Sequence, residues 1–345
     1  MNKHILMILL ILSPISSTMH AQTDAWPKKM ICSVPVADLR REPKPWPPDL
    51  KRPTNLVTNK LQESQLLLNE HIIAEKEVNG WLRIKALEQK KSIDGVWGGF
   101  PGWVQTTHAI EVNEYPARNL VVISKWAETQ RGTQPLKLSI GTKLQGTSYN
   151  ETTNRWTFIM PDGTHAEIAG NDVAQIKNIT LDEKELRQNI IAKSLEFIGD
   201  SYSWGGCSGD DIDCSALTYL SFLTNGLQLP RNAHEQFLLA QPLASGAQLQ
   251  PGDFIFFAAK TTPKRIRHVM LYIGNGNLME TTNADGIDYA RVVPVAEKLG
   301  KKVETITHGE FVGKYFIYFG SYLNNRATLQ RLRDEALRTE YNFLV

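Results

Sequence analysis

The sequence predicts a multidomain protein, two small all-β units followed by an α+β domain. Three observations carry that expectation. Between about Lys29 and Val112, Val, Ile and Trp alternate around Gly, Asn and Pro, as in "NGWLRI" and "GGFPGWV", the signature of short strands joined by turns. A stretch from about Asn119 to Ile176 echoes it: in "NRWTFIMPDGTHAEIAG", Trp156 answers Trp81 and Ile159 answers Ile84. From Thr180 onward the pattern becomes helical and then turns to strand-and-turn alternation, the order of an α+β domain.

Taken in order, the chain opens with "MNKHILMILLILSPISSTMHAQ". Lys3, the apolar run Ile5 to Leu12 and the small residues leading to Ala21 have the layout of a secretory signal peptide over residues 1–21, too short to span a bilayer. The first β unit is expected over 29–115, interrupted by the Pro-rich "KPWPPDLKRP", and the second over 116–178, with Asp162-Gly163 as a hairpin turn. Two copies favour tandem barrels over a solenoid. The α+β domain is expected over 179–323. Thr180 and Glu183 are spaced as a capping box, with Leu186, Ile190 and Ile191 on one helix face and Gly199 as the stop. A second helix is expected from Asp213 to Gly226, with Leu217, Leu220 and Leu223 inward. The strand "PGDFIFFA", the hairpin "RHVMLYIGNGNLMETT" and "EFVGKYFIYFGSYL" follow, and residues 324–345 read as a charged helical tail.

Composition narrows the function classes. At 345 residues, 42% hydrophobic and 21% charged, the chain is ordinary globular protein. Its net charge of +2 and lack of a Lys/Arg cluster argue against a nucleic-acid partner. Beyond the leader no stretch reaches ~20 consecutive apolar residues, so no transmembrane segment is expected in the mature chain. Three cysteines, Cys32, Cys207 and Cys214, are too few for a disulfide scaffold, and their odd number leaves at least one thiol unpaired. The spacing of Cys207 and Cys214, with no histidine pair nearby, gives no zinc site; neither metal nor cofactor is expected.

Cys214 stands out. Asp213 sits where a helix N-cap belongs, which puts the Cys214 sulfur in the first turn, where unpaired N–H groups and the helix dipole favour an anion. The thiolate is the nucleophilic form, and such a place promotes it. His268 opens the strand "HVMLYIG", on the face of Met270 and Tyr272, and a sheet packed on the Cys helix would bring its imidazole to the sulfur. A third group should hold the ring's other nitrogen. A turn centred on Gly274 would place Glu280 opposite His268, whereas a two-residue Asn275-Gly276 turn would place Asn283 there. Either side chain is chemically competent.

"YSWGG", "DIDCSALT", "LPRNAHEQF", "LQPGDFIFF" and "HVMLYIGNGNLME", in that order, resemble the NlpC/p60 family of papain-like cell-wall cysteine peptidases. The preceding units resemble bacterial SH3-like domains, and "VADLRREP", "ESQLLLNE", "NGWLRI" and "GFPGWV" resemble the first such domain of the subgroup that cleaves short murein peptides. The resemblance covers roughly Lys29 to Leu323 and implies two SH3-like β-barrels followed by a papain-like catalytic domain. It implies Cys214 as nucleophile, His268 as general base and Tyr202 as a hydroxyl near the oxyanion site. Glu280 stands where the family usually has His, and sometimes Asn or Gln; a carboxylate there would hold the ring and favour imidazolium. Asp213 and Ser215 match residues that hold the free α-amine of an N-terminal L-Ala, and Glu63 reads either as a second anchor for that amine or as a surface glutamate. Ala233 replaces a common Ser. Phe100 takes the place of a Tyr that often reaches the active site, without its hydroxyl. Arg231 reads either as a carboxylate binder or as a structural salt bridge.

The function so implied is hydrolysis of the amide between γ-D-Glu and a diamino acid in murein peptides with a free N-terminal L-Ala, in the periplasm or outside the cell. Two rivals stand beside it: an amidase or endopeptidase acting on intact peptidoglycan, and a non-catalytic wall-binding protein.

Overall fold

The computed structural model describes residues 25–45, 61–131 and 135–341; the expected signal peptide lies outside them. The first sheet is antiparallel and built from β1 (Lys28–Cys32), β2 (Val36–Arg40), β3 (Gln62–Leu67), β4 (His71–Val78), β5 (Trp81–Ile93), β6 (Val96–Gln105) and β7 (Ala109–Glu111). Its spatial order is β3-β2-β6-β5-β4-β1-β7. Asn79-Gly80 closes the β4–β5 hairpin and Asp94-Gly95 the β5–β6 hairpin, with Val78 paired to Trp81 and Ile93 to Val96. All four turn residues have positive φ, 50° and 79°, then 51° and 85°, the geometry whose twist suits a two-residue hairpin. Leu82, Ile84 and Ala86 point inward along β5 and meet Ile72, Ala74, Phe100 and Val104 in an apolar core.

The second sheet comprises β8 (Leu120–Val122), β9 (Trp126–Gln130), β10 (Lys137–Ser139), β11 (Lys143–Asn150), β12 (Arg155–Ile159), β13 (His165–Ala169) and β14 (Val173–Gln175). Its order, β10-β9-β13-β12-β11-β8-β14, is that of the first sheet with every strand seven places later. The sequence echo thus corresponds to a repeated topology: Trp81 opens β5 and Trp156 lies in β12, its counterpart. Asp162-Gly163 sits in the β12–β13 turn, with Gly163 at φ 79° and the Met160 N–H donating to the Thr164 carbonyl at 2.8 Å.

The remainder begins with helices α1 (Glu183–Leu195), α2 (Cys214–Leu223) and α3 (Ala233–Leu239). A sheet follows, made of β15 (Gln241–Pro242), β16 (Phe254–Ala259), β17 (Ile266–Gly274), β18 (Asn277–Thr281), β19 (Ala290–Pro294), β20 (Glu310–Val312) and β21 (Tyr315–Ser321), with the short α4 (Val295–Leu299) after β19. Its strands run β15-β21-β16-β17-β18-β19, and β20 pairs with β21. No helix among the described residues is long and apolar enough to cross a membrane.

Two local expectations need correction. The cap of α1 is Asp182, whose carboxylate accepts from the Glu185 N–H at 2.9 Å, not the Thr180–Glu183 box. Thr180 Oγ1 instead accepts from the Asp182 N–H at 3.0 Å and turns the chain into the helix two residues later than expected. The second concerns the β17–β18 hairpin. Asn275 and Gly276 do form its turn, at φ 52° and 72°, with Gly274 opposite Asn277. An irregularity at Ile273 then shifts the register, so Tyr272 faces Leu278 and Leu271 faces Met279. Continued along the strands, this places neither Glu280 nor Asn283 directly opposite His268; Glu280 is the diagonal neighbour, still within reach of a long side chain.

Every residue of α2 is buried, not only the leucine face. One apolar cluster explains this: Leu217, Leu220 and Phe222 of α2 meet Phe254 and Leu271 of the third sheet, and Val121, Ile140 and Ile176 of the second sheet cover the other side. Gly141, at φ 86°, allows that approach; a Cβ there would fall 2.7 Å from Leu220. The expected charged tail contains α5 (Arg326–Ala336), capped by Asn325. Its Leu329 and Leu332 join the same cluster, and its Ala336 carbonyl accepts from Lys143 at 3.0 Å.

The first sheet is attached by Leu68, just after β3, which enters the apolar core of the second sheet, and by a set of buried polar groups. Glu88 of β5 receives Arg118 and Lys143 in a buried ionic knot. Gln89 accepts from Ser64 Oγ at 2.5 Å and donates to Glu70 at 2.8 Å. Ser64 in turn accepts from Arg231 Nε at 3.0 Å, and Gln65 Oε1 accepts from the Cys207 N–H at 2.8 Å. These contacts set β3, and with it Glu63, against the helical region.

Candidate active site

Asp213 caps α2 with an extended backbone, its Oδ1 accepting from the Ala216 N–H at 2.8 Å. The cap leaves the N–H groups of Cys214 and Ser215 outside the helical ladder, at the end where the dipole favours negative charge. The same carboxylate accepts from Ser215 Oγ at 2.9 Å, from the Gly205 N–H at 3.1 Å and from both Nη atoms of Arg231 at 2.9 Å. Asp213 therefore ties three pieces together: the helix start, the loop behind Tyr202, and the Pro230-Arg231 segment.

Cys214 is the first residue of α2 and 7% exposed. His268, near the start of β17, stands beside its sulfur, close enough for the two to interact. Burial alone would hold the imidazole neutral, but the Cys214 sulfur and the Glu280 carboxylate outweigh it and raise His268 to about 9. Glu280 is fully buried and its Oε2 lies 3.7 Å from His268 Nε2. That is ion-pair range rather than a hydrogen bond, so the carboxylate acts on the ring mainly through charge. Two cations clamp it. Arg291 donates through Nε and Nη2 to Oε1 at 3.0 and 2.9 Å, and Lys298 from α4 lies 2.9 Å from Oε2. Burial opposes ionisation of Glu280, yet His268 and Lys298 bring it down to about 2.

Tyr202 is 5% exposed and held by its backbone, its N–H donating to the Asp288 carbonyl at 2.6 Å. Burial, then the neighbouring Cys214 and Asp213, push its phenol well above the ordinary tyrosine range, so it stays protonated and able to donate. The other two thiols do not line the cleft. All three cysteines are free, and burial pushes Cys32 and Cys207 up to about 12, which keeps them protonated and inert.

Cys214 opens onto a cleft of about 780 Å³. Tyr202, Trp204, Asp213, Ser215 and Ala233 line it from the helical region; Arg41, Glu63, Lys91 and Asp94 line it from the first sheet; Arg265 and Arg267 line it from the mouth of β17. The structure thus assembles Cys214, His268, Glu280, Tyr202, Asp213, Ser215 and Glu63 in one place. Glu63 is not free there: Arg41 Nε donates to it at 2.5 Å and Lys91 lies 4.0 Å away.

Two residues expected at the substrate do not reach it. Phe100 is 1% exposed inside the core of the first sheet, where alternation along β6 turns it inward; what stands over its ring, 4.0 Å from the centroid, is Lys91. Arg231 is wholly buried behind Asp213 and also donates to the Gly206 carbonyl at 2.9 Å, so of its two readings the salt bridge is the one the structure shows.

Sequence reasoning missed Lys91, Arg265 and Arg267 in the cleft, and Arg291 and Lys298 around Glu280. A signal existed for the first three. "SIDGVW" carries an Asp-Gly turn between apolar residues, the mark of a long hairpin, and "RIRH" sets two cations just before the histidine. Nothing local marked Arg291 and Lys298, which meet Glu280 only through the β18–β19 pairing and the turn of α4.

A thiol in the first turn of a buried helix, beside a histidine on an adjoining antiparallel sheet and open to a cleft, defines the site of a cysteine peptidase, a hydrolase. Residues 199–302 match the model of the NlpC/P60 family, so the chain carries an NlpC/P60 domain. It is similar to a gamma-D-glutamyl-L-lysine dipeptidyl-peptidase of Bacillus cereus, 27% identical over 235 residues that cover 66% of this chain and 69% of that one. A protein of the same name from Bacillus subtilis is 25% identical over 260 residues, 74% of this chain and 79% of that one. The crystal structure of an NlpC/P60 family protein from Bacillus cereus superposes with a TM-score of 0.71 at 21% identity, covering 86% of this chain and 99% of the other; that likeness speaks to the fold.

Proposed function

We propose that this protein is an exported peptidase that hydrolyses the amide between γ-D-Glu and a diamino acid in murein peptides whose N-terminal L-Ala is free. The observation that carries the reading is the juxtaposition of Cys214 and His268 at the floor of a cleft walled on one side by the first sheet. Cys214 Sγ attacks the γ-carbonyl of D-Glu. The Tyr202 hydroxyl and the Cys214 and Ser215 N–H groups stabilise the oxyanion. His268 gives its proton to the departing amine and then takes one from the water that attacks the thioester, returning Cys214 to its starting form. Glu280 is a positioning residue that holds positive charge on the ring.

Asp213, Ser215 and Glu63 supply the negative end of the cleft for the L-Ala ammonium. Since Asp213 and Glu63 already carry protein partners, the amine shares those carboxylates rather than finding them empty. In domain terms, residues 29–115 and 116–178 are two SH3-like barrels and 179–323 the catalytic domain, with residues 1–21 removed on export. The repeated strand order supports the paired barrels, and the names of the two Bacillus relatives support the bond cleaved. The test is product analysis of L-Ala-γ-D-Glu-diaminopimelate, its N-acetyl form and intact sacculi. The expected result is release of L-Ala-D-Glu from the free peptide and a loss of about tenfold or more on acetylation, the worth of a charge-assisted contact. Faster release from sacculi than from free peptide would overturn the reading in favour of an endopeptidase on intact wall.

A further inference from the structure

The cleft holds more positive charge than the chemistry above uses. Arg265 and Arg267 stand on either side of Ile266, which is 4% exposed. The Ile266 N–H donates to His234 Nδ1 at 3.4 Å, which ties the mouth of β17 to the start of α3. The strand is thus anchored while both guanidinium groups line the cleft. Among the described residues neither arginine has an ion-pair partner. Across the cleft Lys91 projects from the β5–β6 hairpin over the Phe100 ring. Burial and, after the opposing pull of Glu63 and Glu235, the like charges of Arg41 and Arg265 hold its ammonium below the ordinary lysine range.

Lys91 already has Glu63 at 4.0 Å and Glu235 nearby, but the two guanidinium groups have no such partner among the described residues, and an anion that enters the cleft beside them stabilises them. A carboxylate suits guanidinium best, because the planar fork matches its two oxygens. Position indicates which carboxylate. The negative end of the cleft, at Asp213, Ser215 and Glu63, is assigned to the L-Ala ammonium, while Arg265 and Arg267 directly precede His268, the group that serves the departing amine.

We propose that Arg265 and Arg267 form a subsite for the α-carboxylate of the diamino acid on the leaving side of the scissile amide. This rests on the γ-D-glutamyl reading of the site. It makes the enzyme selective for peptides that end in a free acid at that residue and against those in which the acid is an amide or continues into a longer chain.

Three peptides decide it: L-Ala-γ-D-Glu-L-Lys, the same peptide amidated at the lysine α-carboxyl, and the same peptide amidated at the D-Glu α-carboxyl. Beside them, binding of L-lysine and L-lysinamide to the resting enzyme is measured by calorimetry. Amidation at lysine is expected to lower kcat/KM about tenfold, through KM, the worth of one charge-assisted contact. Amidation at D-Glu should matter less. Arg265→Gln and Arg267→Gln should each bring the acid-to-amide ratio toward one, and should remove the preference for lysine over lysinamide. Turnover of all three peptides at equal rates, or a ratio unchanged in both variants, overturns the subsite and leaves the proposed function standing. No turnover of any peptide, with carboxylate-dependent binding of lysine that both variants lose, overturns the function and keeps the subsite. No turnover and no such binding overturns both.

Discussion

The first and second sheets share one strand order, yet only the first contributes to the cleft. Much of the difference lies in one hairpin, which joins Arg41 and Glu63 in lining the cleft. In the first sheet β5 has 13 residues and β6 has 10, and the tip around Asp94-Gly95 reaches the catalytic cleft. In the second, the matching β12 and β13 have five residues each and end at Asp162-Gly163, in solvent. The attachments differ too. The second sheet shares an apolar cluster with α2, whereas the first, beyond the one apolar anchor of Leu68 in the second core, is held by the Glu88 knot and the Arg231–Ser64 hydrogen bond. Apolar contact holds surfaces together with little demand on orientation; directional polar contacts fix one arrangement. A unit that shapes a substrate cleft needs the second kind.

The largest effect that would break this contrast is removal of the knot. Glu88→Ala leaves Arg118 and Lys143 buried without their counter-charge, and should cost about 3–5 kcal/mol, read as a lower denaturant midpoint. Retention of full stability would mean that the first sheet is held by something else. A smaller effect is expected from shortening the hairpin. Lys91 pairs with Gly98, so replacing residues 92–97 by Asp-Gly keeps the register while withdrawing the tip. Thermal stability should hold, and kcat/KM on the free peptide should fall about tenfold through poorer substrate positioning. The control, Asp162→Ala in the second hairpin, should leave kcat/KM unchanged.

The smallest effect concerns the Glu280 clamp. Glu280 is held near 2 in the folded protein, below its ordinary value of about 4.3, so the stability it contributes is full above pH ~4.3 and is lost as pH falls toward 2. His268 is raised to about 9, so its contribution is full below about 6.5 and is lost as pH rises through 9. Lys298→Gln removes a cation beside Glu280 and should cost about 1–2 kcal/mol. Its acid-unfolding midpoint should move to higher pH. Without that repulsion the alkaline limb of kcat/KM should shift upward by a few tenths of a pH unit; a downward shift would mean that Lys298 supports the imidazolium rather than opposing it.

What was legible in the sequence divides along similar lines. Residues whose role is local were readable: Asp213 as a cap, Cys214 in the first turn, Asn275-Gly276 as a turn. The repeat was readable from its strands but not residue by residue: Leu82 and Ile84 face the first core as Trp156 and Phe158 face the second, one residue out of step with the Trp81–Trp156 and Ile84–Ile159 echo. The third member of the Cys214–His268 set was not fixed, because the irregularity at Ile273 moves the register by an amount no turn motif encodes. Phe100 was misplaced because similarity of position does not report which face of β6 turns inward. Arg291 and Lys298 were unreadable for a further reason: long side chains converging on one buried carboxylate come from strands and a helix brought together only by the completed sheet.

The most direct test of the chemistry is the turnover of Cys214→Ala on L-Ala-γ-D-Glu-diaminopimelate, alongside its unfolding curve. With the nucleophile gone and the fold kept, kcat should drop by about 10⁴-fold or more. A folded Cys214→Ala protein that still cleaves the peptide within tenfold of the parent would contradict the account.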